Sequence, residues 1–179
     1  MTEYRYGVFM SKVSSEFMPL RVAVMTISSR RTADDDTSGD YLREVLQQDG
    51  HHLADSAIVG ENLYHIRAQV SAWIARDDVQ VILINGGTGF TSGDLAPEAL
   101  RVLFDREIEG FGELFRMVSY EEIGTATIQS RAIAGLANQT AIFAMPGSTK
   151  ACHTAWERII REQLDARQKP CNLYPHLKK

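Results

Sequence analysis

The sequence predicts an α/β fold, a three-layer α/β/α sandwich around a mostly parallel sheet, and three observations carry that prediction. Short apolar, β-branched runs alternate with amphipathic helical stretches from residue 20 to residue 84, the order of a parallel sheet with crossover helices. The third run, residues 79–84 (VQVILI), is nearly apolar on both faces, as a parallel strand covered by helices on each side has to be. Two later runs, 132–137 and 140–145, are separated only by Asn138-Gln139, which predicts an antiparallel hairpin at one side of the sheet.

The elements follow in order. Residues 20–27 (LRVAVMTI) read as a buried strand and 28–36 as a polar loop. Leu42, Val45 and Leu46 form a helical stripe, with Thr37 and Asp40 at capping-box spacing before it and Gly50 as its stop. A second strand falls within 53–59, and Leu63, Ile66, Val70, Trp73 and Ile74 then recur at helical spacing. Beyond the third strand, Pro97 opens a short helix to Phe104, at a position where its missing N–H costs nothing. Residues 111–122 read as helix, and Ala151, Ala155, Ile159 and Ile160 mark the inward stripe of a last one. This places one domain at 18–168, a flexible N-terminal tail at 1–17 with Met10 as an alternative start, and a C-terminal tail at 169–179.

Composition removes several classes of function. A 179-residue chain that is 44% hydrophobic is long enough for one sizeable core. A net charge of −4 opposes non-specific nucleic-acid binding, which requires a basic face. No apolar run is long enough for a membrane helix, and 1–17 lack the apolar region of a signal peptide. Two isolated cysteines, Cys152 and Cys171, make neither a disulfide framework nor a zinc site, so a reduced, cytoplasmic protein is expected.

Residues 85–94 (NGGTGFTSGD) follow the third strand, where open α/β sheets hold their ligands. Glycines there allow positive φ and let backbone N–H groups approach an anion, while Thr88 and Thr91 add hydroxyls. The pattern is neither a P-loop nor a dinucleotide fingerprint. Asp94 and Glu98 would repel a bare phosphate, and a Mg²⁺ between Asp94 and phosphate oxygens resolves that conflict. The bland alternatives are a tight turn for the glycines and a helix start for Asp94. A second anion candidate is 145–151 (MPGSTKA), where Ser148 is a natural N-cap, Gly147 frees the backbone before it and Lys150 stands in the first turn. Lys150 equally reads as a solvated lysine. Ser28 to Arg31 can line the carboxyl edge of strand one or simply be wet. Asp36 stands beside the capping threonine within reach of a metal, and Arg131 can serve a phosphate or a carboxylate.

The ordered set NGGTGFTSGD (85–94), DTSG (36–39), GFGELFR (110–116), SRA (130–132) and MPGS (145–148) resembles the MoaB/MogA family of molybdenum cofactor biosynthesis proteins from about Leu20 onward. The ending KPCNLYPHLKK (169–179) is similar to the MoaB branch. The resemblance implies a molybdopterin-binding fold, a homotrimer or homohexamer, other cofactor-biosynthesis proteins as partners, and adenylylation of molybdopterin with Mg²⁺ and ATP, GTP remaining an open alternative. It implies that Gly86, Gly87, Thr88 and Gly89 cradle phosphate. Asp94 serves metal or catalysis, Gly147 and Ser148 hold the terminal phosphate of the pterin, and Asp36 and Ser28 line the same cleft. One stretch departs from the pattern. Active relatives carry an acidic pair after strand two, and here 58–62 read IVGEN, with Gly60 where the aspartate is expected and Glu61 one residue out of register. Two functions follow: adenylyl transfer, or binding of molybdopterin or nucleotide without turnover. A purely structural oligomer would leave the glycine loop unexplained.

Overall fold

Strand β1 (Arg21–Ile27) alternates its side chains between two cores, and that alternation organises the molecule. Val22 and Val24 face the core built with Leu42 and Leu46 of α1 (Thr37–Gln48), Phe111 and Phe115 of α4 (Glu109–Ile123) and Ala155 of α5 (Thr149–Ala155). Ala23, Met25 and Ile27 face the other, with Ile66, Val70 and Trp73 of α2 (Leu63–Ala75) and Ala99 and Leu100 of α3 (Ala96–Leu100). The computed structural model describes residues 14–179, and in it the predicted three-layer sandwich is observed.

The sheet has six strands in the order β2-β1-β3-β6-β5-β4. β2 (His52–Val59), β1, β3 (Val81–Asn85) and β6 (Thr140–Met145) are parallel. β5 (Ile133–Ala137) pairs antiparallel with β6 through a two-residue turn, Asn138 and Gln139 both at positive φ. The sequence reading put this hairpin at one side of the sheet. In the structure β6 is interior and the rim is β4 (Arg106–Glu107), two exposed residues antiparallel to β5. So short a strand leaves no periodic trace. From β1 the chain goes out to β2 and returns across to β3, with α1 and α2 on opposite faces. The crevice at the carboxyl ends of β1 and β3 is therefore the switch point of the topology.

Three local expectations are corrected. The N-cap of α1 is Asp36, whose carboxylate accepts from the Gly39 N–H, and Thr37 is already helical. Gly50 does stop this helix, at φ 89°. The last helix is not regular: α5 passes through a π-helical turn (Trp156–Ile160) into α6 (Arg161–Leu164), which lets Trp156, Ile159, Ile160 and Leu164 all face the core.

The tails are the third correction. Residues 1–13, Met10 included, lie outside the described residues. Ser14 to Phe17, assigned by sequence to a flexible tail, are anchored: the Ser14 N–H donates to the Ala166 carbonyl and Phe17 packs on His51 and beneath Arg167. The C-terminal tail is likewise bound. Leu177 is buried, and the Lys178 ammonium donates to the carbonyls of Ile74 and Arg76, satisfying the end of α2. Among the described residues no helix is long and apolar enough to cross a membrane.

His51 yields a testable consequence. It is buried between Phe17 and Trp156, and its Nδ1 accepts from the Leu20 N–H. Burial pushes its pKa below the ordinary histidine value, against a weaker opposing pull from Asp49 and Asp165. The unfolded chain then binds more protons than the folded one once pH falls below about 6.5, so stability declines from there downward. The midpoint of thermal unfolding should fall between about pH 6.5 and pH 5, and His51→Gln should flatten that slope. An unchanged slope in the variant would refute the assignment.

Candidate functional site

Three loops leave the carboxyl edge of the sheet and meet over the switch point. The loop after β3 starts with Gly86 and Gly87 at φ 94° and 69°, a conformation few side chains adopt. A Cβ on Gly86 would collide with the Ile27 carbonyl, and one on Gly147 would lie 3.1 Å from the Gly86 Cα. The loops after β1, β3 and β6 thus touch backbone to backbone, and the Gly86 N–H donates to the Met145 carbonyl. The glycine loop and the MPGS loop are in backbone contact, which the sequence could not decide.

Beneath the loops lies a buried polar chain. The Asn85 Nδ2 donates to the Thr26 Oγ1 at 2.8 Å, and the Thr26 hydroxyl donates to the Asp36 carboxylate at 2.7 Å. All three residues are fully buried or nearly so. Asp36 is therefore the anchor of the α1 N-terminus, backed by Arg43 at 3.5 Å, rather than a group open to the cleft. With the start of α1 fixed, the Ser38 hydroxyl donates to the Gly147 carbonyl at 2.8 Å and lies 3.2 Å from the Thr149 hydroxyl. Ser38, Thr37 and Thr149 join the two helix starts, a role the sequence reading missed. Ser148 caps α5 as predicted, accepting from the Ala151 N–H.

The remaining predicted residues divide between the cleft and its scaffold. Ser28 sits at the crevice edge, and its hydroxyl accepts from the N–H groups of Arg30 and Arg31. Thr88 is buried, with its carbonyl accepting from the Arg131 N–H. Asp94 turns back onto its own loop, accepting at 2.8 and 2.7 Å from the N–H and hydroxyl of Thr91. Burial would raise its pKa, but the bonds from Thr91 and Gly89 outweigh that and hold it below the ordinary range. Lys150 pairs with Glu122 at 3.1 Å rather than facing the cleft. Arg131 stitches the loop together, donating to the carbonyls of Gly89 at 2.7 Å and Asp94 at 2.6 Å while its guanidinium pairs with Glu98. Of the two partners the sequence offered Arg131, the carboxylate is the one present here, Glu98.

Glu61 is the residue whose placement changes the reading most. Its N–H donates to the Ser29 hydroxyl at 3.0 Å. Its Oε2 lies only 2.8 Å from where a Cβ on Gly93 would stand, so the carboxylate reaches the glycine loop. Gly60 takes an ordinary φ and has only the Ser29 Oγ, 3.7 Å away, near its missing Cβ. Glu61, one residue beyond the expected position of the acid, has its backbone on Ser29 and its carboxylate beside Gly93, a placement that its position in the chain did not reveal. Among the described residues no three acidic, histidine or cysteine side chains converge as a ready-made metal cage. Mg²⁺ needs none, since it takes one or two carboxylates and completes its shell with phosphates and water. Asp94 and Glu61, both against the glycine loop, fit that donor set. A cavity of about 600 Å³ lies on the other side of Arg131, lined by Arg101 and Arg116 and by the acids Glu107, Glu109 and Glu113; residues 85–94 do not line it.

A model described as a probable molybdopterin binding domain matches residues 23–166. Molybdenum cofactor biosynthesis protein B of Escherichia coli (strain K12) is 71% identical over 170 residues, 95% of this chain and 100% of that protein. The chain belongs to the MoaB/MogA family of molybdenum cofactor biosynthesis proteins. The MoaB of Bacillus cereus is 43% identical over 146 residues, 81% of this chain and 86% of its own length. A crystal structure of a molybdenum cofactor biosynthesis protein B, 42% identical, superposes with a TM-score of 0.80 over 82% of this chain and 92% of the other. Mog of Mycobacterium ulcerans, 23% identical with a TM-score of 0.73, shares the fold over 81% of this chain and 97% of its own. In this MoaB/MogA family member, four of the five motifs that carried the resemblance, 36–39, 85–94, 130–132 and 145–148, lie at or beside the crevice, and GFGELFR (110–116) lies in α4.

The geometry separates two glycines by experiment. Gly86→Ala places a side chain at positive φ against the Ile27 carbonyl and should cost about 1–3 kcal/mol of stability. Gly60→Asp meets only the Ser29 Oγ, at ordinary contact distance, and should leave the denaturant midpoint within about 0.5 kcal/mol of the parent. Equal midpoints for the two variants would show that the close approach of the loops is not a constraint.

Proposed function

We propose that this protein binds molybdopterin together with a magnesium nucleotide in the crevice between β1 and β3 and transfers an adenylyl group from ATP to molybdopterin. The observation that carries this reading is the convergence of the loops at 28–36, 85–94 and 145–148 on one cleft with two carboxylates, Asp94 and Glu61, at the rim of its glycine loop. In the transfer, an oxygen of the terminal phosphate of molybdopterin forms a bond to the α-phosphorus of ATP as the bond to the bridging oxygen breaks, and pyrophosphate leaves. Gly86, Gly87, Thr88 and Gly89 supply backbone N–H and hydroxyl donors to the nucleotide phosphates. Gly147 and Ser148 hold the terminal phosphate of the pterin near the start of α5. Mg²⁺ would be held by Asp94 and Glu61 and, when bound, neutralises charge on the phosphates. Glu61 is suited to that part because its carboxylate makes no ion pair among the described residues. Ser28 borders the nucleotide, and Asp36 acts from below by fixing the loops.

One observation favours a second reading, a carrier that binds molybdopterin without turning it over: the N–H and the hydroxyl of Thr91, on the same loop, both occupy one carboxylate oxygen of Asp94. Turnover separates the two. The purified protein with molybdopterin, ATP and Mg²⁺ should release pyrophosphate and form adenylylated molybdopterin over many cycles. Asp94→Asn and Glu61→Gln should each slow the chemical step by about 10²-fold or more, with a smaller change in nucleotide affinity. Tight molybdopterin binding with no product would establish the carrier.

We also infer self-association as a homotrimer or homohexamer. Its support is the solvent side of α4, where Leu114, Met117, Tyr120 and Ile123 recur every three residues with Ile128 close behind, all exposed and apolar or aromatic. Sedimentation velocity should report the oligomer, and Met117→Glu should shift it toward monomer. A monomer at every concentration would exclude this assembly.

A further inference from the structure

Phe90 is the exposed aromatic of the glycine loop, two residues beyond Thr88, and 65% of its surface faces solvent. Nothing in the mechanism above uses it. The ring is not loose, because the guanidinium of Arg131 lies over it, 5.3 Å from its centroid. That guanidinium is itself fixed by the Gly89 and Asp94 carbonyls and by Glu98, so the aromatic plane is held by the same clamp that shapes the loop. An aromatic ring held on one face by a fixed guanidinium presents its other face to a flat group.

We propose that Phe90 is the stacking platform for the heteroaromatic ring of the phosphorylated ligand held by the adjoining glycine loop. This rests on the proposed binding function and adds to it the part of the site that reads the ring rather than the phosphates. The ligand class is a planar nitrogen heterocycle joined to phosphate. A purine and a pterin share that chemistry, and both faces of either ring are equally suited to stacking. Phe90 directly follows Gly89 of the phosphate loop, and Arg131 binds both the Gly89 carbonyl and the Phe90 ring, which ties the platform to the loop.

The test uses Phe90→Trp as a reporter, and the protein lends itself to this because its two native tryptophans, Trp73 and Trp156, are buried. ATP should quench the fluorescence of the Phe90→Trp protein, while tripolyphosphate, which has the phosphates and no ring, should bind without quenching. Neopterin in place of ATP identifies which ring the platform takes: quenching by ATP alone assigns the purine, and quenching by neopterin alone assigns the pterin. In parallel, Phe90→Ala should weaken binding of the quenching ligand by about 5- to 100-fold and leave tripolyphosphate affinity unchanged, with Phe90→Tyr restoring most of the loss. Binding of ATP and neopterin by the parent protein with no loss in Phe90→Ala, or an equal loss of tripolyphosphate binding, would overturn the stacking role while the binding function stands. A parent protein that binds neither ring compound would overturn the binding function and this platform with it.

Discussion

The hydrogen bond from Thr26 to Asp36 is the contact on which the rest of the site depends. It joins a strand to a helix start through a carboxylate that has no exposure, and Asn85 extends it to the next strand. A buried carboxylate of this kind is stable only while its partners are in place; removing one commonly costs about 3–5 kcal/mol because the charge is left uncompensated. That cost makes the entry angle of α1 a fixed quantity. From it follow the position of Ser38, its bond to the Gly147 carbonyl, and the meeting of the α1 and α5 helix starts.

With the strands locked together below, the loops above are constrained by volume. Gly86 and Gly147 exist as glycines because two chains pass closer than side chains allow, with the Ile27 carbonyl completing the contact. The result is a rigid edge of backbone amides rather than a flexible loop, which matters for any phosphate ligand because donors already in position require no reorganisation on binding. Arg131 has the corresponding part on the outer side of the loop. It is an arginine used as internal scaffolding, its fork divided between two carbonyls and a carboxylate, a geometry a lysine would not reproduce.

Charge around the crevice is largely compensated within the protein. Glu98 is paired with Arg131, whose hydrogen bond outweighs the effect of burial and holds its carboxyl below the ordinary range. Lys150 is paired with Glu122. Asp94 is stabilised as a carboxylate by its own loop. Among the described residues Glu61 reaches the loop without a cationic partner, unlike Glu98, which is paired within the frame.

The sequence by itself determined the layers, the parallel core strands, the tight turn at Asn138-Gln139 and the family, because hydrophobic period and ordered glycine-rich motifs are local properties. It also marked the three loops that form the crevice. It did not show that those loops touch, that Asp36 is buried under them, or that Arg131 and Lys150 are already paired, since each of these depends on residues tens of positions apart being packed together. The same holds for the rim strand at Arg106–Glu107, too short to carry a pattern, and for the π-turn that redirects the last helix. Glu61 is the sharpest case. In the chain it stands one place from where an acid was expected, and its one-residue displacement read as a loss. Only the fold, by seating its backbone on Ser29 and its carboxylate against Gly93, decided that it reaches the glycine loop.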